Sequence, residues 1–145
     1  MNKQFFTSRE AAQLTGCSLR QLQYWREKEV VVPTISGTGT GRSVYYSYSE
    51  LVELKLMEYW LRIGFSFDSA SMLLDKLRYY KDEFDYLNPE TTERVMFYCN
   101  PDWDHLLLDS FERDRAIEYF DQGLPVIPLW FDQIHHQLRL KLKSF

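Results

Sequence analysis

Arg20, Gln21, Gln23, Tyr24 and Lys28 crowd one stretch of chain, Ser18-Leu19-Arg20-Gln21-Leu22-Gln23-Tyr24-Trp25-Arg26-Glu27-Lys28. Guanidinium and carboxamide groups form paired hydrogen bonds that match guanine and adenine edges, while hydroxyls and ammonium groups reach phosphate oxygens. Further along, Arg42 lies in a glycine-rich stretch followed by Tyr45, Tyr46 and Tyr48. These residue types recognise a polyanion with ordered edges, which points to double-stranded DNA. Ser18, Arg20, Gln21, Gln23, Tyr24, Lys28, Arg42 and Tyr45 form the candidate DNA-binding set. Gln21 and Gln23 stand equally well as adenine readers or as plain surface glutamines. Tyr46 reads as a packing residue, leaving Tyr45 or Tyr48 to offer a hydroxyl to phosphate.

The surrounding elements must present that stretch outward. Phe5 and Phe6 lead into Thr7, with Glu10 three residues on, a capping box that opens a helix over about 8–14. Thr15-Gly16-Cys17 reads as a turn with Gly16 left-handed. Ser18 caps a second helix over about 19–28. Leu19, Leu22 and Trp25 are expected to face its core, with Arg20, Gln21, Gln23 and Tyr24 outward. Val30 to Pro33 should end that helix and begin a strand. Gly37, Gly39 and Gly41 make a hairpin tip, and Ser43 to Tyr46 form the return strand. A third helix is expected over about 50–63, capped by Ser47 or Ser49, with Leu51, Leu54, Met57 and Leu61 inward. A fourth starts at Ser66 with Ala70, Leu73, Leu74 and Leu77 inward, and continues to about Tyr86 before Asn88-Pro89 breaks it.

Beyond Pro89 the patterns weaken. Arg94 to Cys99 reads as a strand, residues 104–120 as mostly helical, Gly123-Leu124-Pro125 as a break, and 129–145 as a helix with Ile134, Leu138, Leu142 and Phe145 on one stripe. The fold class expected is mainly α with small β elements: a winged helix-turn-helix over 1–80, then a small α+β dimerisation segment over 81–145.

Composition sharpens this division. The net charge of −4 resolves into +3 over residues 1–46, zero over 47–81 and −7 over 82–145. The polyanion contact therefore belongs to the N-terminal third. Aromatic content of 17% provides a real core and surface for a partner. No apolar run is long enough to cross a bilayer and no signal-peptide pattern opens the chain, so no membrane association and a cytoplasmic setting are expected. Cys17 and Cys99 have no metal-ligand spacing and read as free thiols. His105, His135 and His136 read as surface or interface residues, since neighbours on a helix point about 100° apart and rarely share an ion. The carboxylates Asp102, Asp104, Asp109, Glu112 and Asp114 read as a solvated acidic face, and the C-terminal aromatics as core and dimer interface. With no Ser/His/Asp set, phosphate loop or zinc motif, no enzyme activity, metal or cofactor is expected.

Several pieces occur together in order: Ser18-Leu19-Arg20-Gln21-Leu22-Gln23-Tyr24-Trp25, a glycine-containing hairpin, Tyr46-Ser47-Tyr48-Ser49-Glu50-Leu51, and Gly64-Phe65-Ser66. Over about residues 5–78 this arrangement resembles the MerR family of bacterial transcription regulators. In length and layout the chain is also similar to small cyanobacterial members accompanying CRISPR-associated transposons. The resemblance implies DNA contact by Arg20, Tyr24 and the wing, with Trp25 in the packing place of a second tyrosine. Two departures stand out: Gln23 replaces the arginine usual before the tyrosine pair, and Val44 falls where the wing arginine usually lies, so Arg42 takes that role. The resemblance further implies a homodimer, joined in relatives by a long helix that Pro89 cuts short here, and leaves any small-molecule effector unknown. The resulting expectation is a homodimeric repressor on a near-palindromic operator. An excisionase-like or DNA-architectural accessory factor is the alternative, because some phage excisionases share the domain.

Overall fold

In the computed structural model, which describes residues 3–36, 44–102 and 104–145, the chain divides into two compact units. One holds Met1–Leu77 with His136–Phe145, the other Arg78–His135. Among the described residues about half are helical, and two small antiparallel sheets accompany the helices.

In the first unit, β1 (Phe5–Thr7) runs into α1 (Ser8–Thr15) through the expected capping box. Thr7 Oγ1 accepts from the Glu10 amide at 3.2 Å, and the Glu10 carboxylate accepts from the Thr7 amide at 2.9 Å. After α2 (Leu19–Glu27), Val30 and Val31 are buried, and the strand begins later than expected, at β2 (Ile35–Ser36). β3 (Val44–Ser47) pairs antiparallel with both β1 and β2, in the order β1-β3-β2. Phe6 and Tyr46 face each other in that register and both are buried. The hairpin tip with Gly37, Gly39, Gly41 and Arg42 lies outside the described residues.

α3 (Tyr48–Arg62) is the centre of this unit, starting earlier than expected because Ser47 is its cap. Leu51, Leu54 and Met57 are buried as the stripe requires; Leu61 is only half-buried, while Val52, Leu56 and Trp60 are also buried. Burial of residues on more than one face means that the helix is packed on several sides, here by α1 and β3 among others. α4 (Phe67–Tyr79) follows Gly64, whose φ of +112° needs a residue without a Cβ, and buries Ala70, Leu73, Leu74 and Leu77. Ser66 Oγ accepts from the Ser69 amide at 3.1 Å at its start.

The second unit corrects several expectations. The helix does not run unbroken to Tyr86: α4 ends at Tyr79, and a single turn, α5 (Lys81–Phe84), closes on Asp85 at a φ of +49°. β4 (Arg94–Cys99) is the expected strand. Residues 104–120 are not mostly helical, because β5 (Leu106–Ser110) pairs with β4 before α6 (Arg113–Asp121) begins. β6 (Val126–Trp130) pairs with the other edge of β4, giving the order β5-β4-β6. β4 is thus the central strand, and Val95, Met96 and Phe97 are fully buried in succession. α6 packs against β6.

α7 (Phe131–Leu142) confirms a helix near the C-terminus, with Ile134 and Leu138 buried but Phe145 exposed. The last ten residues, assigned from sequence to the segment 81–145, fold with the first unit; Lys141 Nζ donates to the Gln13 carbonyl at 3.5 Å. His135 is not a surface residue. It is completely buried, with Nε2 2.8 Å from the Tyr86 carbonyl oxygen, which offers the ring a polar partner in the interior. Among the described residues no helix is long and apolar enough to cross a membrane.

Candidate nucleic-acid interface

The turn between α1 and α2 is held from inside. Thr15 Oγ1 donates to the Ala11 carbonyl at 2.7 Å and accepts from the Cys17 amide at 3.3 Å. Gly16, at a φ of +82°, donates its amide to the Ala12 carbonyl at 3.0 Å. The nearest atoms to a Cβ built there would be those of Glu58, at 3.8 Å, so backbone conformation rather than crowding demands the glycine. Cys17 Sγ lies 3.5 Å from the Leu54 carbonyl of α3, and burial pushes its thiol pKa up to about 12.

α2 then starts on a second capping box. Ser18 Oγ accepts from the Gln21 amide at 3.0 Å, and Gln21 Oε1 accepts from the Ser18 amide at 2.9 Å. Gln21 is thereby engaged at the helix start. Leu22 and Trp25 are buried, but Leu19 is 49% exposed, contrary to expectation. Steps of three residues rotate each side chain by about 60° against a helix face, so Leu19 lies about 120° from Trp25 and leaves the core.

Arg20, Gln23, Tyr24 and Lys28 are exposed, leaving α2 a polar outer surface. Tyr24 is oriented by packing: its ring meets Phe67 edge-on at 5.0 Å between centroids, and Lys28 Nζ lies 5.6 Å from its centre. Gln23 Nε2 donates to Glu27 at 3.2 Å along the helix. Tyr45 is half-buried on β3, between Thr7 and Ile35 on the neighbouring strands. Glu50 secures the base of this strand pair. Its carboxylate accepts from the Thr34 amide at 2.6 Å, from the Thr34 hydroxyl, and from the Ser47 amide at 3.1 Å.

A capped helix, a glycine turn, a second capped helix with a polar outer face, and a β pair leading into a long third helix are the parts of one known domain type. Residues 6–77 match the family described as MerR HTH family regulatory protein. The N-terminal half of the chain is a MerR-family helix-turn-helix domain. Proteins named as uncharacterized HTH-type transcriptional regulators, one from Mycobacterium bovis and two from strains of Mycobacterium tuberculosis, are each 36% identical over 69 residues. That stretch covers 47% of this chain and 31% of each relative, so the match spans under a third of their length.

The MerR-family domain also contains an open cleft of about 200 Å³ beside α2, lined by Ser8, Leu19, Leu22, Gln23, Arg26 and Tyr46. Burial raises the Tyr46 hydroxyl pKa, with the Arg26 charge opposing that shift. Arg26 was absent from the candidate set read from sequence; its position three residues after Gln23, on the same helix edge, was the available signal. Among the described residues no group of three or more His, Cys, Asp or Glu is arranged to hold a metal ion.

Proposed function

We propose that this protein is a transcription regulator that binds double-stranded DNA, with α2 entering the major groove and the β2–β3 pair acting as the wing. The observation that carries the reading is the outer face of α2, where Arg20, Gln23, Tyr24 and Lys28 stand exposed while Leu22 and Trp25 anchor the helix in a MerR-family domain. The +3 charge over residues 1–46 supports the same face. Arg20 is the principal base or phosphate contact, Tyr24 and Lys28 reach the backbone, and Ser18 and Gln21 hold the helix start against it. Arg42 and Tyr45 add the wing contact. The protein acts as a homodimer on a near-palindromic operator and represses by occupying it.

The deciding experiment is duplex binding with sequences selected from a random pool. Arg20→Ala should lose about 1–3 kcal/mol of affinity for the selected duplex, the size of one good base or phosphate contact. Unchanged affinity in a gel-shift titration removes Arg20 from the interface, and a wild-type protein that ignores all duplexes at low salt removes the function.

A further inference from the structure

We propose that the cleft lined by Ser8, Gln23, Arg26 and Tyr46 seats one backbone phosphate of the bound duplex, with Arg26 as the cation that neutralises it. This rests on the DNA-binding reading above and adds to that interface a further residue, Arg26, and a seat for one phosphate.

Charge is the first argument. The chain carries a net −4, yet the six residues lining the cleft include one cation and no carboxylate. Among the described residues, the Arg26 guanidinium makes no ion pair or hydrogen bond. Arg62, Arg94 and Arg115 are instead paired with Glu58, Asp132 and Asp109. Arg26 is also half-buried, so its charge is held at the cleft rather than swinging free in solvent.

Position is the second argument. Gln23 and Arg26 lie three residues apart on one edge of α2, flanking the face that carries Arg20 and Tyr24. In a duplex the sugar-phosphate strands flank the base edges, so a side chain at the edge of a groove-entering helix meets phosphate rather than base. The donors suit that group. Ser8 brings a hydroxyl, Tyr46 a phenol, and the Gln23 carboxamide retains a second N–H beyond the one given to Glu27. Leu19 and Leu22 form an apolar wall that limits water on one side and so strengthens the charge interaction. The volume of about 200 Å³ admits a phosphodiester with several waters, at about 30 Å³ for each water.

The test compares wild type, Arg26→Gln and Arg26→Lys on one selected duplex across a salt series. Each neutralised phosphate contributes about 0.9 to the slope of log affinity against log salt, so Arg26→Gln should lower the slope by about one. Its preference for the selected over a scrambled duplex should stay as in wild type, and Arg26→Lys should keep the slope. A second measurement uses wild-type protein on duplexes with single neutral methylphosphonates. One position per half-site should weaken wild type and leave Arg26→Gln unaffected. An unchanged slope, a changed base preference, or no methylphosphonate position that separates the two proteins overturns the proposal while leaving DNA binding intact. The last of these is also the result for a cleft that takes only free phosphate. Failure of wild type to bind any duplex sinks both readings.

Discussion

Gln21 and Gln23 are the same side chain two positions apart, and the fold puts them to different uses. Gln21 completes the capping box with Ser18, whereas Gln23 stays exposed on the edge of α2 beside Arg26. The sequence left both open as adenine readers because a capping glutamine and a surface glutamine look alike until the helix start is located. Cys17 is a residue whose chemistry is set by its place. Buried behind the turn, its thiol pKa rises from an ordinary value of 9.0 to about 12. A raised folded pKa means that stability is fully present below pH 9 and falls as the unfolded thiol ionises, through the window up to about 12, at about 1.4 kcal/mol per pH unit. Urea melts of wild type and Cys17→Ala between pH 8 and 11 should therefore converge as pH rises, the wild type losing stability more steeply. Tyr48 and Tyr59, whose hydroxyl pKa values are also raised by burial, contribute alike to both proteins, whereas the Cys17 charge adds to the raised Tyr46 value in wild type alone and steepens the same loss. Parallel curves would mean that the thiol is not shielded.

The elements that read correctly are those whose signals are local. Thr7 with Glu10, Ser18 with Gln21 and Ser47 with Glu50 each form a reciprocal cap at the start of a helix, and a cap needs only residues three apart. β5 and β6 were missed for the opposite reason. Leu106-Leu107-Leu108 is an apolar run of no decided period, and it becomes a strand because β4, Arg94–Cys99, offers an edge to pair with. β6 fills the other edge after the break at Gly123. The candidate site was legible on α2 for the same local reason, except Arg26, whose meaning depends on Ser8 and Tyr46 from distant parts of the sequence. Glu50 joins both kinds of information. It caps α3 locally and also binds Thr34, sixteen residues earlier, at the foot of β2. Glu50→Ala should cost about 1.5–3 kcal/mol, as expected for losing hydrogen bonds to a carboxylate, while Ser18→Ala should cost about 0.5–2 kcal/mol as a cap alone. Denaturant midpoints at constant m rank the two; equal losses would reduce Glu50 to a cap.

For the whole molecule, the governing fact is where charge is spent. Residues 1–46 carry +3, and residues 82–145 carry −7. The second unit, residues 78–135, holds thirteen carboxylates against five basic residues, and a surface of that charge is repelled by a phosphate backbone. One domain with a single groove-entering helix makes few phosphate and base contacts, and affinity that depends on counterion release grows with their number. Two copies related by a two-fold axis double the contacts and set two recognition helices facing two half-sites about 10–10.5 base pairs apart, or a multiple of that. Sedimentation equilibrium should accordingly return twice the 17.5 kDa chain mass at concentrations where the operator is bound. A footprint should be a single protected region centred on a dyad. A species of 17.5 kDa protecting phased direct repeats would replace the repressor with a DNA-bending accessory factor, because repeated monomers in one orientation lack the two-fold axis that a palindrome mirrors.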